Sequence, residues 1–294
     1  MNIGWNGTVK QAEEAVISVY DHGFLYGMGL FETFRTYGGK PYLLERHLQR
    51  LTEGCRSIGI HYEPDIEQFR VWLAALMQSN NLSEAYVRLT VTAGEEELGL
   101  PSGDYRKPNL LLLVKPLPIP NPLLYEDGRQ LALLYTRRNT PEGDIRLKSL
   151  HYMNNIVAKR ELLQLGAAPG AEGLMLTQEG WLAEGIVSNL FFVERGTVYT
   201  PSIDTGILPG VTRGRVIELV RSAGHAVIEG RFTWDELLRA EEVWMTNSIQ
   251  ELVPITTLRN VDGHVIQPGD GSPGSLFKQL LSGYRMLTGS GQDL

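Results

Sequence analysis

The sequence places a proline at every second position from Pro116 to Pro122, in Lys115-Pro-Leu-Pro-Ile-Pro-Asn-Pro. Proline has no amide hydrogen, fixes its own φ and biases the preceding residue toward an extended backbone. Such a segment is unsuited to a helix and is typical of a stiff connector. It therefore predicts a domain boundary, with residues 1–115 as a small N-terminal domain, 116–122 as the linker and 123–294 as a larger C-terminal domain.

Hydrophobic spacing on both sides of this linker indicates mixed helix and strand. Before it, apolar residues repeat with helical period over 44–58 and 64–78, and Tyr86–Thr92 alternates like a strand with one buried face. After it, predicted strands and helices alternate, and Thr233-Trp-Asp-Glu236 has the form of a capping box. The sequence thus predicts two α+β domains.

Composition limits the classes of function. The 294 residues carry a net charge of −7, which argues against binding to nucleic acid or to an anionic membrane surface. The single cysteine, Cys55, cannot form an internal disulfide, and the sequence has neither a secretory signal nor a membrane-spanning run. The six histidines lack metal-ligand spacing, so no metal site is predicted. We therefore expect a cytoplasmic protein.

One stretch places a lysine, Lys148, just before a predicted helix that Gly166 can end. The apolar stripe of that helix consists of Met153, Ile156, Val157 and Leu163. Lys148 is therefore expected at the helix entrance. A primary amine with a lowered pKa attacks aldehydes, and the best-known use is the Schiff base to pyridoxal phosphate. A lysine in this position is nevertheless more often simply solvated.

A carboxylate suited to the same cofactor is Glu184, in Leu-Ala-Glu-Gly-Ile-Val-Ser-Asn. It is a lone acid in a small and apolar run, so it is expected to be partly buried and to need a partner. A protonated pyridine nitrogen would supply that partner. The alternative is a solvated glutamate in a turn.

A phosphate site is predicted where Gly210 precedes Val211 and Thr212 at the start of a helix. The unpaired N–H groups and the positive end of the helix dipole suit an anion there. Ser248 could add a hydroxyl and Arg50 a charge. Each of these residues also has an ordinary capping or surface interpretation.

Six segments together resemble, in the same order, the motifs of class IV aminotransferases, the fold type IV enzymes of pyridoxal phosphate. They are Asp21-His-Gly-Phe-Leu-Tyr-Gly, His47-x-x-Arg-Leu, Lys148-Ser-Leu-His-Tyr-Met-Asn-Asn, Ala183-Glu-Gly-Ile-Val-Ser-Asn-Leu-Phe, Gly206-Ile-Leu-Pro-Gly-Val-Thr-Arg and Trp244-Met-Thr-Asn-Ser. The resemblance spans nearly the whole chain. It implies an α+β fold with a small N-terminal and a larger C-terminal α/β domain, pyridoxal phosphate between them, and a homodimer with sites near the subunit interface.

The resemblance also assigns roles to residues by position. It makes Lys148 the Schiff-base lysine and general acid/base, and Glu184 the partner of the pyridine nitrogen. The other cofactor-binding residues that it implies are Arg50, Ser188, Asn189, Val211, Thr212, Ser248 and Ile249.

Within the family, the sequence most resembles the bacillus-type 4-amino-4-deoxychorismate lyases, for example in Phe31-Glu-Thr-Phe-Arg and Arg137-Arg-Asn-Thr-Pro-Glu-Gly143. Branched-chain aminotransferases usually have Phe-Glu-Gly where this chain has Phe31-Glu32-Thr33. D-Amino acid transaminases trap the substrate carboxylate with an Arg-x-His type pair, but the corresponding stretch here has Ala93 and no nearby histidine. The resemblance implies elimination of pyruvate from aminodeoxychorismate to give p-aminobenzoate, a step of folate biosynthesis.

The substrate of such a lyase carries two carboxylates, so cations are expected around it. The cationic candidates are Arg88, Arg137 and Arg138, for which the alternative is a surface arginine. Candidates for the wall beside the substrate ring are Tyr26, Phe31 and Tyr152. Two other functions stay open, namely an aminotransferase for D- or branched-chain amino acids and a protein that binds the cofactor without turnover.

Overall fold

A computed structural model describes residues 1–119 and 121–289, so Pro120 of the predicted linker and residues 290–294 lie outside the described part. Chain contacts divide the protein into two compact units. Unit 1 comprises Met1–Pro118 and Leu147–His151, and unit 2 comprises Ile119–Arg146 and the described residues from Tyr152 onward. The first division falls within the segment predicted as a linker, whereas the sequence does not predict that Leu147–His151 belongs to unit 1.

Unit 1 is built on an antiparallel sheet. Its strands are β1 (Asn2–Trp5), β2 (Thr8–Gln11), β3 (Gly29–Tyr37), β4 (Lys40–Pro41), β5 (Tyr86–Thr92) and β6 (Asn109–Lys115). In the described residues their order is β2-β1-β6-β5-β3-β4. The helices are α1 (His22–Tyr26), α2 (Leu44–Ser57) and α3 (Ile66–Ser79). A turn at Gly38 and Gly39 joins β3 to β4, and both glycines have positive φ.

The core of unit 1 forms where α2 packs on β3 and α3 packs on β1. Apolar spacing predicts a stripe of Leu44, Leu48, Leu51, Cys55 and Ile58; the first four are buried, and Ile58, the C-cap of α2, is partly buried. On β5, Val87, Leu89 and Val91 form the fully buried face that the alternation predicts. Thr90, on the opposite face, is also buried and lies opposite Phe31 of β3.

Unit 2 contains a mixed sheet. Its strands are β7 (Arg129–Leu133), β8 (Glu172–Leu176), β9 (Leu182–Gly185), β10 (Asn189–Glu194), β11 (Thr197–Pro201), β12 (Val227–Gly230), β13 (Glu242–Asn247), β14 (Glu251–Arg259) and β15 (Val265–Ile266). The described strands run in the order β12-β11-β10-β13-β14-β7-β8-β9, with β15 paired to β14. The helices are α4 (Leu123–Glu126), α5 (Met153–Gln164), α6 (Val211–Ser222), α7 (Trp234–Leu237) and α8 (Ser275–Thr288).

Local signals in unit 2 are partly confirmed. Thr233 and Glu236 form both hydrogen bonds of the predicted capping box at the start of α7. The tight turn between β9 and β10 brings Glu184 and Asn189 close together, and Asn189 in turn lies opposite Thr246 of β13. None of the helices in the described ranges is long and apolar enough to cross a membrane.

The prediction for the α5 stripe is wrong. Met153, Ile156, Val157 and Leu163 are exposed, at 77%, 55%, 47% and 71%. The helix instead packs on β8 through Asn155, Ala158 and Leu162. Ala158 permits close approach to the strand, and the Asn155 Nδ2 group donates to the carbonyl of Ile186 at 2.5 Å. A polar residue that is hydrogen-bonded to Ile186 and to Arg138 therefore lies on the packed face.

The expected position of Lys148 at a helix entrance is also wrong. The Lys148 carbonyl accepts a hydrogen bond from the Phe31 N–H at 2.8 Å, and the Leu150 N–H donates to the Gly29 carbonyl at 3.0 Å. The segment around Ser149 is therefore bridged to β3, and α5 begins only at Met153. The backbone at Lys148 is held by hydrogen bonds to β3 and not by the helix.

Candidate functional site

Lys148 in unit 1 lies beside the buried ring of Phe31. The Lys148 Nζ atom is 4.7 Å from the centroid of that ring, and the Arg88 Cζ atom is 3.6 Å from the same centroid. Phe31 is only 2% exposed, so its ring is held firmly in β3. Cations are attracted to the face of an aromatic ring. One ring thus places a half-buried amine and a guanidinium in the same small region.

The next residue of β3, Glu32, holds a buried ionic cluster. Its carboxylate accepts hydrogen bonds from Arg50 Nε and Nη2, both at 2.7 Å, and from His47 Nδ1 at 2.6 Å. Burial by itself would raise the pKa of Glu32, but the charge of Arg50 and the contact with His47 lower it to about 2. Burial lowers the pKa of His47, against the opposing effect of Glu32. Glu32 is therefore ionised and fixes the Arg50 side chain in a bidentate pair.

The roles of Glu32 and His47 were missed by the sequence interpretation. Two signals could have found them: an acid inside the apolar run Leu30-Phe-Glu-Thr-Phe34, and a histidine three residues before Arg50 on one helix. The predicted phosphate contact of Arg50 stays a prediction. Its guanidinium is 19% exposed and already has the Glu32 carboxylate as one partner.

Tyr26 lies at the end of α1, and its side chain is 39% exposed. Its hydroxyl accepts from the Gly99 N–H at 3.0 Å, and its carbonyl lies 2.9 Å from His151 Nε2. Gly27 follows with φ of +71°, and a Cβ there would collide with the His151 ring. The glycine is therefore needed for the approach of His151 to α1.

Glu184 in unit 2 is the second centre of the predicted site. It is 4% exposed, and its Oε1 accepts from Arg138 Nε at 2.8 Å. Its Oε2 accepts from the Leu208 N–H at 3.0 Å and from Asn189 Nδ2 at 3.3 Å. Glu184 is therefore buried as expected, and Arg138 supplies a partner within the chain that the sequence interpretation did not identify.

Arg138 is buried, so the alternative of a surface arginine is wrong for this residue, whereas its predicted contact with substrate stays a prediction. The Nε group of Arg138 donates to Glu184, and its Nη1 group donates to Asn154 Oδ1 at 2.8 Å. The segment just before Arg138 is held by Glu161 of α5. The Glu161 carboxylate accepts from the N–H groups of Tyr135 at 2.5 Å and Thr136 at 2.8 Å. The guanidinium is therefore committed to contacts inside unit 2.

Its neighbour Arg137 is half-buried, and the Arg137 carbonyl accepts from Asn154 Nδ2 at 2.9 Å. A second buried arginine, Arg146, donates to the carbonyls of Gly206 and Asn139. Burial and the nearby charge of Arg138 lower the pKa of Arg146 to about 10. Two guanidinium groups therefore surround one carboxylate, that of Glu184.

The predicted phosphate segment forms the N-terminus of α6. Gly210 is the N-cap and has no side chain to cap the first turn, and a Cβ there would collide with Asn189 Oδ1. Val211 and Thr212 begin the helix and are buried. The hydroxyls of Thr212 and Ser248 lie 3.0 Å apart. A glycine-opened helix start with two adjacent hydroxyls is a suitable cradle for a phosphate group.

Three other predicted residues lie nearby in unit 2 or at its edge. Ser188 is 6% exposed, and its Oγ has no hydrogen-bond partner among the described residues. The Ile249 N–H donates to Asn247 Oδ1 at 3.0 Å, so this donor is already used. Tyr152 is the half-buried N-cap of α5. Their predicted contacts with cofactor or substrate stay predictions.

The donor set fits pyridoxal phosphate. Within unit 1, the Lys148 amine is half-buried and is of the kind that binds the aldehyde carbon of this cofactor. Within unit 2, the buried Glu184 carboxylate is of the kind that binds the pyridine nitrogen, and the glycine-opened start of α6 with two hydroxyls is of the kind that binds the phosphate. The orphaned Ser188 hydroxyl leaves one further buried donor available.

Comparisons with known proteins agree with this interpretation. The sequence profile of the family described as amino-transferase class IV matches residues 29–258. The chain is 43% identical to aminodeoxychorismate lyase of Bacillus subtilis over 259 residues, covering 87% of this chain and 86% of that protein. It is 28% identical to D-alanine aminotransferase of Bacillus licheniformis over 280 residues, covering 95% of this chain and 94% of that protein.

The fold is that of a solved family member. The crystal structure of the T.th. branched-chain amino acid aminotransferase with pyridoxamine 5'-phosphate superposes with a TM-score of 0.85 at 26% identity, covering 98% of this chain and 94% of that one. The profile match covers more than half of the chain, and the relative with 43% identity covers most of it. This chain therefore belongs to the class IV aminotransferase family.

Proposed function

We propose that this chain is a 4-amino-4-deoxychorismate lyase, which eliminates pyruvate from its substrate and releases p-aminobenzoate. The observation that carries the proposal is the 43% identity with aminodeoxychorismate lyase of Bacillus subtilis across 87% of the chain. The pairing of an amine with a guanidinium on the Phe31 ring supports it, since the substrate is an anion.

The cofactor is pyridoxal phosphate, which when bound withdraws electrons from the substrate carbon next to the amino nitrogen. Lys148 would bind it covalently through Nζ, and Glu184 would accept a hydrogen bond from its ring nitrogen. Thr212, Ser248 and the first N–H groups of α6 would hold its phosphate, with Arg50 adding charge.

Lys148 acts as the base once the substrate amine has displaced its Nζ from the cofactor. Its Nζ takes the proton from the substrate ring carbon that bears nitrogen, and the C–O bond to the enolpyruvyl group breaks. The leaving enolpyruvate takes a proton and becomes pyruvate, and the ring becomes aromatic. The hydrogen bonds that join Lys148 and Leu150 to β3 hold the backbone of the lysine, so Nζ would stay near Phe31 during these steps.

The two substrate carboxylates need cations, and Arg88 is the stronger candidate. Its guanidinium lies over the same Phe31 ring as Lys148, so an anion bound to it would be close to the reacting amine. Arg137 stays the second candidate, whereas Arg138 is engaged with Glu184. Phe31, with Tyr26 and Tyr152, would contact the substrate ring. Assembly as a homodimer and a cytoplasmic location stay predictions.

An aminotransferase is the second candidate function, because the chain superposes on a solved branched-chain amino acid aminotransferase with a TM-score of 0.85. Such an enzyme would convert its cofactor to the amine form when given an amino acid alone. Loss of the cofactor's visible absorption with D-alanine or L-leucine would support this alternative.

The test is the formation of both products from aminodeoxychorismate by the cofactor-loaded protein. We expect p-aminobenzoate and pyruvate from the wild type and neither from Lys148→Ala. Lys278→Ala, on the exposed side of α8, is the matched control and should retain full activity. Absence of both products with the wild type would contradict the proposal.

A further inference from the structure

We propose that Arg138 is a positioning residue that fixes the orientation of the Glu184 carboxylate toward the ring nitrogen of the cofactor. The inference rests on the proposed role of Glu184 and extends it to a residue that does not itself touch the cofactor. It also replaces the expectation that Arg138 binds a substrate carboxylate.

The Arg138–Glu184 pair is buried on both sides. The side chains are 7% and 5% exposed, and the Nε to Oε1 distance is 2.8 Å. Two charges withdrawn from water are stable only with good geometry and further hydrogen bonds, and loss of one partner leaves the other uncompensated. Arg138 meets this condition because its Nη1 also donates to Asn154 Oδ1 at 2.8 Å.

The carboxylate is held at both oxygens. Arg138 occupies Oε1, while the Leu208 N–H and the Asn189 amide donate to Oε2 at 3.0 and 3.3 Å. A carboxylate offers about four acceptor positions, so these three donors leave about one for a ligand. The three bound donors fix the orientation of the Glu184 carboxylate, and this orientation decides where the remaining acceptor position points.

Arg146 supplies the alternative orientation. Its Nε lies 3.8 Å from the same Oε1 of Glu184, which is too far for a hydrogen bond but close enough for strong attraction. Without the Arg138 N–H, the carboxylate would move about 1 Å toward Arg146 to form a direct pair. Displacements of that size are enough to impair a site that depends on orientation.

The experiment uses holoenzyme loaded with pyridoxal phosphate that carries ¹⁵N at the ring nitrogen. The ¹⁵N resonance distinguishes a protonated, hydrogen-bonded ring nitrogen from a neutral one. The proteins compared are wild type, Glu184→Gln, Arg138→Met, Arg138→Lys and Lys278→Ala, and the Kd of the cofactor is measured for each.

We expect Glu184→Gln to move the resonance toward that of neutral pyridine, and Arg138→Met to move it in the same direction with a rise in Kd of about tenfold. Arg138→Lys keeps the charge but loses the planar fork that binds Glu184 and Asn154 together, so it should give an intermediate shift. Lys278→Ala should match the wild type.

The outcomes separate this inference from the proposed function. A wild-type resonance in Glu184→Gln would overturn the role of Glu184 itself. A shift in Glu184→Gln with a wild-type resonance in Arg138→Met would overturn the positioning role alone, and so would a shift of Arg138→Met toward the protonated state. If Arg138→Met does not fold, an unshifted Arg138→Lys holoenzyme overturns the inference.

Discussion

Replacement of Glu32 by glutamine tests the ionic cluster of unit 1 through its pH dependence. The variant keeps the shape of the side chain but removes the charge that Arg50 and His47 face. The pKa of Glu32 is lowered from 4.5 to about 2 in the folded protein. At about 1.4 kcal/mol per pKa unit, the ionised carboxylate stabilises the fold by about 3 kcal/mol.

The sign of the effect follows from the lowered pKa. The stabilisation is fully present above the unfolded pKa of 4.5, and it is lost as the pH falls toward 2. His47 adds a separate loss below pH 6.5, because burial lowers its folded pKa and the unfolded chain takes up a proton first. The quantity to compare is therefore the difference between wild type and Glu32→Gln, and not either curve alone.

The assay is urea unfolding of both proteins between pH 7 and pH 3, followed by tryptophan fluorescence. We expect Glu32→Gln to be less stable by about 3 kcal/mol at pH 7 and the difference to shrink steadily below pH 4.5. Exposed Glu63→Gln is the matched control and should show no pH-dependent difference. If the difference in unfolding free energy between wild type and Glu32→Gln stayed constant from pH 7 to pH 3, the stabilisation could not come from the ionised Glu32 carboxylate.

Three further predictions concern single side chains. Thr212→Val and Ser248→Ala should each raise the Kd of pyridoxal phosphate about fivefold, because each removes one hydroxyl from the phosphate cradle at the start of α6. Fluorescence titration measures the Kd, and an unchanged value would place the phosphate elsewhere. Gly27→Ala should lower the thermal stability by about 1–3 kcal/mol, since it strains a backbone of positive φ and collides with His151; a wild-type melting curve would contradict this. Burial raises the pKa of Cys55 to about 12, so this thiol should react with a thiol reagent at pH 8 only when urea unfolds the protein. Fast labelling of the folded protein would contradict the burial of Cys55.

Local signals were sufficient to predict most elements. Helical spacing located α2 and its buried stripe, alternation located β5, and the Thr233–Glu236 pair located the start of α7. These features depend on residues close together in the sequence. The same is true of the helix start at Gly210, where backbone chemistry alone predicts an anion-binding geometry.

Contacts between distant residues could not be predicted in this way. Arg138 and Glu184 are 46 positions apart, and only folding shows that their side chains form a buried ion pair. The hydrogen bond from the Phe31 N–H to the Lys148 carbonyl likewise joins residues that lie far apart in the sequence. The exposed apolar residues of α5, such as Met153, show that apolar spacing alone does not identify the packed face. The cofactor and substrate contacts of the site residues stay predictions.

The central claim is that this chain eliminates pyruvate and does not transfer an amino group. The most direct measurement is the amount of p-aminobenzoate and pyruvate formed per enzyme from aminodeoxychorismate, over many turnovers and without any keto acid. We expect the two products in a ratio of about one to one, far in excess of enzyme, with the visible absorption of the cofactor retained at the end. At most one product equivalent per enzyme, together with loss of that absorption, would contradict the lyase and favour an aminotransferase.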